Sequence, residues 1–247
     1  MVKLTIDGKE VIAREGQTVL EAAREAGIFI PTLCYHHEIK PYTACRLCMV
    51  EVTKGKRTRF VTACDYPVAD GMVVRTDTEK VKKCRKLVLE LLMAQCPNLP
   101  QLQELAQVIG VEKVRFSKRD DDCILCGMCV RTCAEVVGLN AIGFEGRGFN
   151  RRVCTPFDEP SDPCILCGAC SYVCPVNVIP VEEVDGYRIM ERWHKKSAMV
   201  ACSKCGRYFM TEDELRYLKE KTGLPEEKLR ICTVSYTHLT LPTKRIV

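Results

Sequence analysis

A seven-residue phrase occurs twice in this chain, as Cys-Ile-Leu-Cys-Gly-Met-Cys from Cys123 and as Cys-Ile-Leu-Cys-Gly-Ala-Cys from Cys164. An internal repeat of this kind implies two related halves. Three cysteines in seven residues can turn their sulfurs toward one centre only where the backbone curls tightly, which Gly127 and Gly168 permit. The chain holds 18 cysteines in 247 residues, enough for either a disulfide framework or a set of thiolate ligands. Met1 is followed by Val-Lys-Leu-Thr-Ile-Asp, with no basic segment leading into an apolar stretch and a cleavage site. The chain is therefore expected to stay in the reducing cytoplasm, where repeated C-x2-C spacing reads as metal or cluster binding.

Extended, the two phrases become C-x2-C-x2-C-x3-C runs at Cys123, Cys126, Cys129, Cys133 and at Cys164, Cys167, Cys170, Cys174, the second followed by Pro175. In bacterial two-cluster ferredoxins the fourth cysteine of each such run ligates the other cluster. The spacing predicts one 4Fe-4S cluster on Cys123, Cys126, Cys129 and Cys174, and a second on Cys133, Cys164, Cys167 and Cys170, which would staple the two together. A pair of four-cysteine zinc sites is the alternative. Zinc ribbons use two separated C-x2-C pairs, so the spacing favours clusters.

Upstream, residues 2–13 alternate apolar and polar side chains about Asp7-Gly8, the pattern of a β-hairpin. Thr18 precedes Glu21 by three residues, a capping box, and Val19, Ala22, Ala23 and Ala26 supply a helical apolar face that Gly27 ends. Short strand patterns follow at 48–52, 59–63 and 72–76, giving a small sheet on one helix. Its loops carry Cys34, Cys45, Cys48 and Cys64, four ligands for a 2Fe-2S cluster. A helix over about 78–95 shows a stripe of Val81, Cys84, Val88 and Leu91, joined by Leu87 and Leu92. Cys84 on that stripe reads as core packing. Cys-Pro-Asn-Leu-Pro at 96–100 breaks the helix, and a second helical pattern ends at Gly110.

The β-grasp start, the Cys34 to Cys64 set, Arg85-Lys86-Leu87, Gly146-Arg147-Gly148-Phe149 and the paired ferredoxin runs resemble one family over about residues 1–180. It comprises the iron-sulfur subunit of NAD-linked bidirectional hydrogenases, related parts of NAD-dependent formate dehydrogenases, the front of the complex I large iron-sulfur subunit, and the accessory region of iron-only hydrogenases. The resemblance implies the same twelve ligands, a flavin- and NAD(P)-binding partner subunit and a catalytic oxidoreductase subunit. The family usually carries a further 4Fe-4S cluster on one histidine and three cysteines after the long helix. Here Cys96 stands at the histidine position and the three-cysteine insertion is missing. That cluster is expected to be absent, and Cys96 to be a small semi-buried residue.

The expected class is α+β: a 2Fe-2S β-grasp ferredoxin domain at 1–77, a helical linker at 78–122, a two-cluster ferredoxin domain at 123–180 and a zinc-knuckle-like module at 181–234. In the last, Cys202-Ser203-Lys204-Cys205-Gly206 forms a knuckle-like turn and Cys232 returns after a helix from about Thr211 to Lys221. A fourth zinc ligand is expected at 235, where Ser235 stands; residues 235–247 read as a non-native extension. Cys154 is an unassigned thiol, His36 and His37 face solvent or the ligands' surroundings, and Trp193 and Tyr208 read as packing residues.

Apolar content of 47% and charged content of 28% are ordinary for a folded soluble chain and argue against disorder. A net charge of +5, with its basic residues scattered among acidic ones, makes no nucleic-acid stripe. No apolar window is long enough to span a membrane. Without a dinucleotide fingerprint, a Walker run or a nucleophilic triad, the chain reads as an electron-transfer subunit with no substrate site. A freely diffusing ferredoxin-type carrier and an all-zinc structural module are the competing classes.

Overall fold

The computed structural model describes residues 1–240, with side chains as far as Thr237; the rest of the 235–247 extension, and the His238 side chain, lie outside the described residues. The chain divides into two compact units. The first contains residues 1–131 and 173–178, and the second 132–172 together with the chain from Ile179 onward.

In the first unit the hairpin forms from β1 (Val2–Ile6) and β2 (Lys9–Ala13), with Val2 opposite Ala13. Asp7 and Gly8 both take positive φ, 47° and 84°, the two-residue turn whose twist matches the strands it joins. Helix α1 (Val19–Glu25) starts at the predicted capping box: the Glu21 amide donates to Thr18 Oγ1 at 3.3 Å, and the Thr18 amide to Glu21 Oε2 at 2.7 Å. Strands β3 (Met49–Lys54), β4 (Arg57–Thr62) and β5 (Met72–Arg75) complete a five-stranded sheet ordered β2-β1-β5-β3-β4. The β1–β5 pair is parallel and the others antiparallel, the strand order of a β-grasp. Ile6, Leu20, Val50 and Val74 are completely buried between this sheet and α1, and each contributes roughly 1.5–3 kcal/mol of transfer free energy.

Helix α2 (Glu79–Gln95) begins at Thr78, whose side chain accepts the Val81 amide at 3.3 Å. Helix α3 (Pro100–Ile109) stops at Gly110, with φ of 77°. The buried face of α2 is rotated from the predicted stripe: Val81, Arg85, Leu89, Glu90 and Ala94 are buried, whereas Leu87 and Leu91 are exposed. The apolar count favoured the Leu87 side, but two charged residues, Arg85 and Glu90, take inward positions because each finds a polar partner there. The Arg115 guanidinium meets the Glu90 carboxylate at 2.7 Å.

After α4 (Met128–Arg131) the second unit opens on a π-helical turn, Thr132–Val137. It continues through the short hairpin β6 (Gly143–Glu145) and β7 (Arg152–Cys154) and helix α5 (Ala169–Tyr172). A four-stranded antiparallel sheet follows, from β8 (Glu182–Val184), β9 (Tyr187–Met190), β10 (Lys195–Ala201) and β11 (Tyr208–Thr211), in the order β11-β10-β9-β8. Thr211 caps α6 (Glu212–Thr222) by accepting the Glu214 amide at 3.1 Å, and Leu215 buries the helix against Val200 and Met210. The short helices α7 (Glu226–Leu229) and α8 (Thr233–Thr240) complete the described chain.

Candidate cluster sites

Cys34, Cys45, Cys48 and Cys64 are all buried at one end of the first sheet. The Cys45 amide donates to Cys34 Sγ at 3.4 Å, and Thr43 and Arg46 adopt positive φ, 56° each, as the loop bends round to present its thiols. The four thiols fall into two hydrogen-bonded pairs. Sharing with Cys34 holds Cys45 down at about 6 and pushes Cys34 up, while Cys48 is lowered and Cys64 raised by the same kind of contact.

Arg85 lies beneath this loop. Its Nε donates to the Leu47 carbonyl at 3.1 Å and its Nη2 to the Met49 carbonyl at 3.0 Å, bracketing Cys48. Burial lowers its pKa while the neighbouring Cys48 opposes the shift. Its spacing from Val81 and Leu89, i+4 and i−4 on one helix face, was the signal that could have flagged it.

The first run continues in the same unit. Leu125 (φ 53°) and Gly127 (φ 74°) make the curl, and the Leu125 amide points at Cys123 Sγ, 3.4 Å away. The run is anchored by Gln95 Nε2, which donates to the Cys123 carbonyl at 3.0 Å, and by the Arg119 and Asp121 amides on the Ala94 and Gln95 carbonyls. Cys174 belongs to this unit as well, and the Cys126 thiol feels Cys123, Cys174 and Cys45; burial pushes it up to about 12. Cys34, Cys45 and Cys126 share one apolar core with Leu47, Leu89 and Leu102, and Cys174 packs on it. Cys96 lies in this core fully buried rather than half-buried, because the 119–123 segment folds over the end of α2. Its thiol is raised to about 12, by burial first and then by Asp121 and Cys123.

The second unit gathers Cys133, Cys164, Cys167 and Cys170 around a small apolar cavity of about 30 Å³, with Trp193 in its wall. The curl repeats that of the first run, with Leu166 at 54° and Gly168 at 78°. Thr211 Oγ1 and Arg188 Nη1 donate to the Ile165 and Leu166 carbonyls at 2.6 and 3.0 Å. Trp193 does more than the packing expected of it, since its Nε1 donates to Cys170 Sγ at 3.4 Å. The Ala141 amide does the same to Cys133 Sγ at 3.3 Å. Tyr208, also expected to pack, is 52% exposed, with only the phenol end of its ring lying beside Gly186.

The bystanders lie apart from these groups. His36 and His37 stack at 4.5 Å, and His37 meets Glu38 at 3.3 Å. Cys84 is half-buried, and Cys154 Sγ meets Glu145 Oε2 at 3.4 Å. Cys84→Ser and Cys154→Ser are expected to leave every electron paramagnetic resonance signal intact and to change stability by less than about 1 kcal/mol. A missing signal in either variant would return that thiol to the ligand set.

Residues 1–79 match the 2Fe-2S iron-sulfur cluster binding domain, and residues 161–179 the 4Fe-4S binding domain. The chain is thus an iron-sulfur protein of mixed α/β fold, with an N-terminal 2Fe-2S ferredoxin domain and a 4Fe-4S motif. It is 32% identical to a chain of an NAD+-reducing [NiFe]-hydrogenase solved in the H2-reduced state, with a TM-score of 0.55, over 62% of this chain and 74% of that one. It belongs to the family that this hydrogenase chain shares with an iron-sulfur component of NADH-quinone oxidoreductase, the complex I relative. The NADH-quinone oxidoreductase component from Rhizobium meliloti is 35% identical over 83% of this chain and 27% of its own length. The alpha subunit of NADPH-Fe(3+) oxidoreductase from Geobacter sulfurreducens is 36% identical over 60% of this chain and 20% of its own. The chain therefore spans about a quarter of the length of these curated relatives. Among the described residues no helix is long and apolar enough to cross a membrane.

Proposed function

We propose that the chain is an electron-transfer subunit of a multisubunit NAD(P)-linked oxidoreductase, relaying single electrons through one 2Fe-2S and two 4Fe-4S clusters. The observation that carries this reading is the common core of the first unit, where Cys34 and Cys45 are buried with Cys126 and packed by Cys174. Ligands of two clusters in one apolar core supply a dry, short route between them and leave no need for an intervening histidine-type cluster. The clusters supply one-electron chemistry, and the protein sets its energetics through burial and hydrogen bonds to sulfur.

In this reading Cys34, Cys45, Cys48 and Cys64, all buried, hold the two irons of the 2Fe-2S cluster. The division of the chain supports crossed ligation of the cubanes. Cys174 groups with Cys123, Cys126 and Cys129, and Cys133 with Cys164, Cys167 and Cys170. Amides and the Trp193 indole donate to the sulfurs, stabilising the thiolate and reduced forms. Along the sequence the segments are 1–77, 78–122, 123–180 and 181–234, the third divided between the two compact units, and zinc completes the cofactor set as a structural ion in the last segment.

The partners are a flavin- and NAD(P)-binding subunit and a catalytic oxidoreductase subunit in the cytoplasm. Each relative's name couples a nicotinamide nucleotide to another redox partner, quinone, iron(III) or hydrogen chemistry. Anaerobic reconstitution is expected to give about ten iron atoms per chain, two plus four plus four, and three one-electron waves in a redox titration. About fourteen iron atoms would show a fourth cluster, and a colourless protein would end the relay reading.

A further inference from the structure

Among the described residues, one group of side chains is close enough to surround a single ion: Cys202, Cys205 and Cys232, whose sulfurs all lie within 4.8 Å of one another. The turn that begins at Cys202 closes through the Gly206 amide on the Cys202 carbonyl at 2.9 Å, with Gly206 at φ 72°. Cys232 enters from the other side. The first turn of α8, marked by the Tyr236 amide on the Cys232 carbonyl at 2.9 Å, brings Ser235 back over the sulfurs. Ser235 Oγ is 3.6 Å from Cys202 Sγ and 3.4 Å from Cys232 Sγ.

We propose that Cys202, Cys205, Cys232 and the Ser235 hydroxyl form a mixed sulfur-oxygen site for one tetrahedral zinc ion. The proposal rests on the reading of this segment as a zinc module and adds the fourth ligand as this chain supplies it: Ser235, the first residue of the extension read above as non-native, lies over the sulfurs. Zinc binds thiolate sulfur at about 2.3 Å and oxygen at about 2.0–2.2 Å, so a tetrahedron has sulfur-sulfur edges of about 3.8 Å and sulfur-oxygen edges of about 3.5 Å. The Cys205–Cys232 separation of 3.7 Å and the two Ser235 separations match three of its six edges. Without metal, the same spacings serve thiol and hydroxyl hydrogen bonds.

The surroundings suit thiolates. The Lys204 and Cys232 amides donate to Cys202 Sγ at 3.4 and 3.3 Å, and the Ser235 amide to Cys232 Sγ at 3.4 Å. Amide donors to sulfur stabilise the charged ligand, and zinc binding then displaces the thiol protons to solvent. A 4Fe-4S cluster takes one cysteine per iron and holds their sulfurs farther apart than a single ion does, and a 2Fe-2S cluster brings only two cysteines to each iron, so this close trio fits an ion. Cys202 and Cys232 are buried and Cys205 is exposed, which leaves one side of the site open to a chelator.

The test uses the full chain with its clusters in place, equilibrated with zinc(II) and read by zinc-edge X-ray absorption, which iron does not obscure. One zinc per chain is expected, with three sulfurs near 2.3 Å and one oxygen near 2.0 Å. Ser235→Cys should change this to four sulfurs and slow zinc loss to a chelator. Ser235→Ala should weaken binding at least about tenfold in chelator competition, about 1.4 kcal/mol, with iron content unchanged as the check on folding. Zinc held equally well by Ser235→Ala, or by four sulfurs in the unaltered chain, overturns the serine ligand and leaves the zinc module standing. No bound zinc in either the unaltered or the Ser235→Cys chain removes the module as well. Zinc whose coordination survives Cys202→Ala would place the ion elsewhere and also overturn the proposal.

Discussion

Replacing Cys174 by alanine is expected to abolish the 4Fe-4S signal assigned to Cys123, Cys126 and Cys129, although Cys174 lies in the other run. The loss should be about four of about ten irons, because a cubane needs its fourth thiolate. Cys133→Ala should remove the other cubane in the same proportion. The expectation follows from where the chain places these two residues: Cys174 in the first unit and Cys133 in the second, each away from the three cysteines that precede it in sequence. The two variants together separate crossed from uncrossed ligation. If Cys174→Ala spared the first-run signal and erased the second, each run would serve its own cluster.

The second large effect is expected at Arg85. Its guanidinium donates to the Leu47 and Met49 carbonyls on either side of Cys48. Arg85→Met leaves both carbonyls buried without these donors, at about 1–3 kcal/mol each, partly offset because a desolvated charge is removed as well. It also removes a positive charge beside the 2Fe-2S site. A unit charge at roughly 8 Å through an effective dielectric of about 20 is worth about 2 kcal/mol, so the reduction potential should fall by several tens of millivolts, at 59 mV per 1.4 kcal/mol for one electron. Arg85→Lys keeps the charge but not the fork that reaches two carbonyls. It should therefore lose stability while holding its potential near that of the unaltered chain. Equal potentials in all three proteins would show that the cluster does not sense this residue.

The N-terminal 2Fe-2S domain and the 4Fe-4S motif were legible because cysteine spacing and local turn chemistry leave few alternatives. Asp7-Gly8 and the Thr18/Glu21 box each specify their element through backbone geometry alone, and both form as expected. The π-helical turn after Cys129 and the inward face of α2 were not legible. On α2 the apolar residues pointed one way, while Arg85 and Glu90 found buried partners far along the chain, at Leu47, Met49 and Arg115. Helical spacing puts Arg85 on the Val81–Leu89 face, but nothing local shows that residues 25 or more positions away supply the partners that let a charge turn inward. Trp193 packs as expected, at 1% exposure, but its second role was not legible: its indole donates to Cys170, 23 residues upstream, and nothing about an isolated tryptophan announces a sulfur acceptor.

The interleaving of the two units has a consequence for how such a protein can be rearranged. Residues 1–79 match one domain over a continuous stretch, yet they too are tied in, since Cys34, Cys45 and Leu47 share a core with Leu89, Leu102 and Cys126. The first unit takes back residues 173–178 after the chain has left it for the second, so no single cut yields either unit whole. An exchange that kept both units whole would have to carry the chain from its N-terminal strands to beyond residue 178 in one piece.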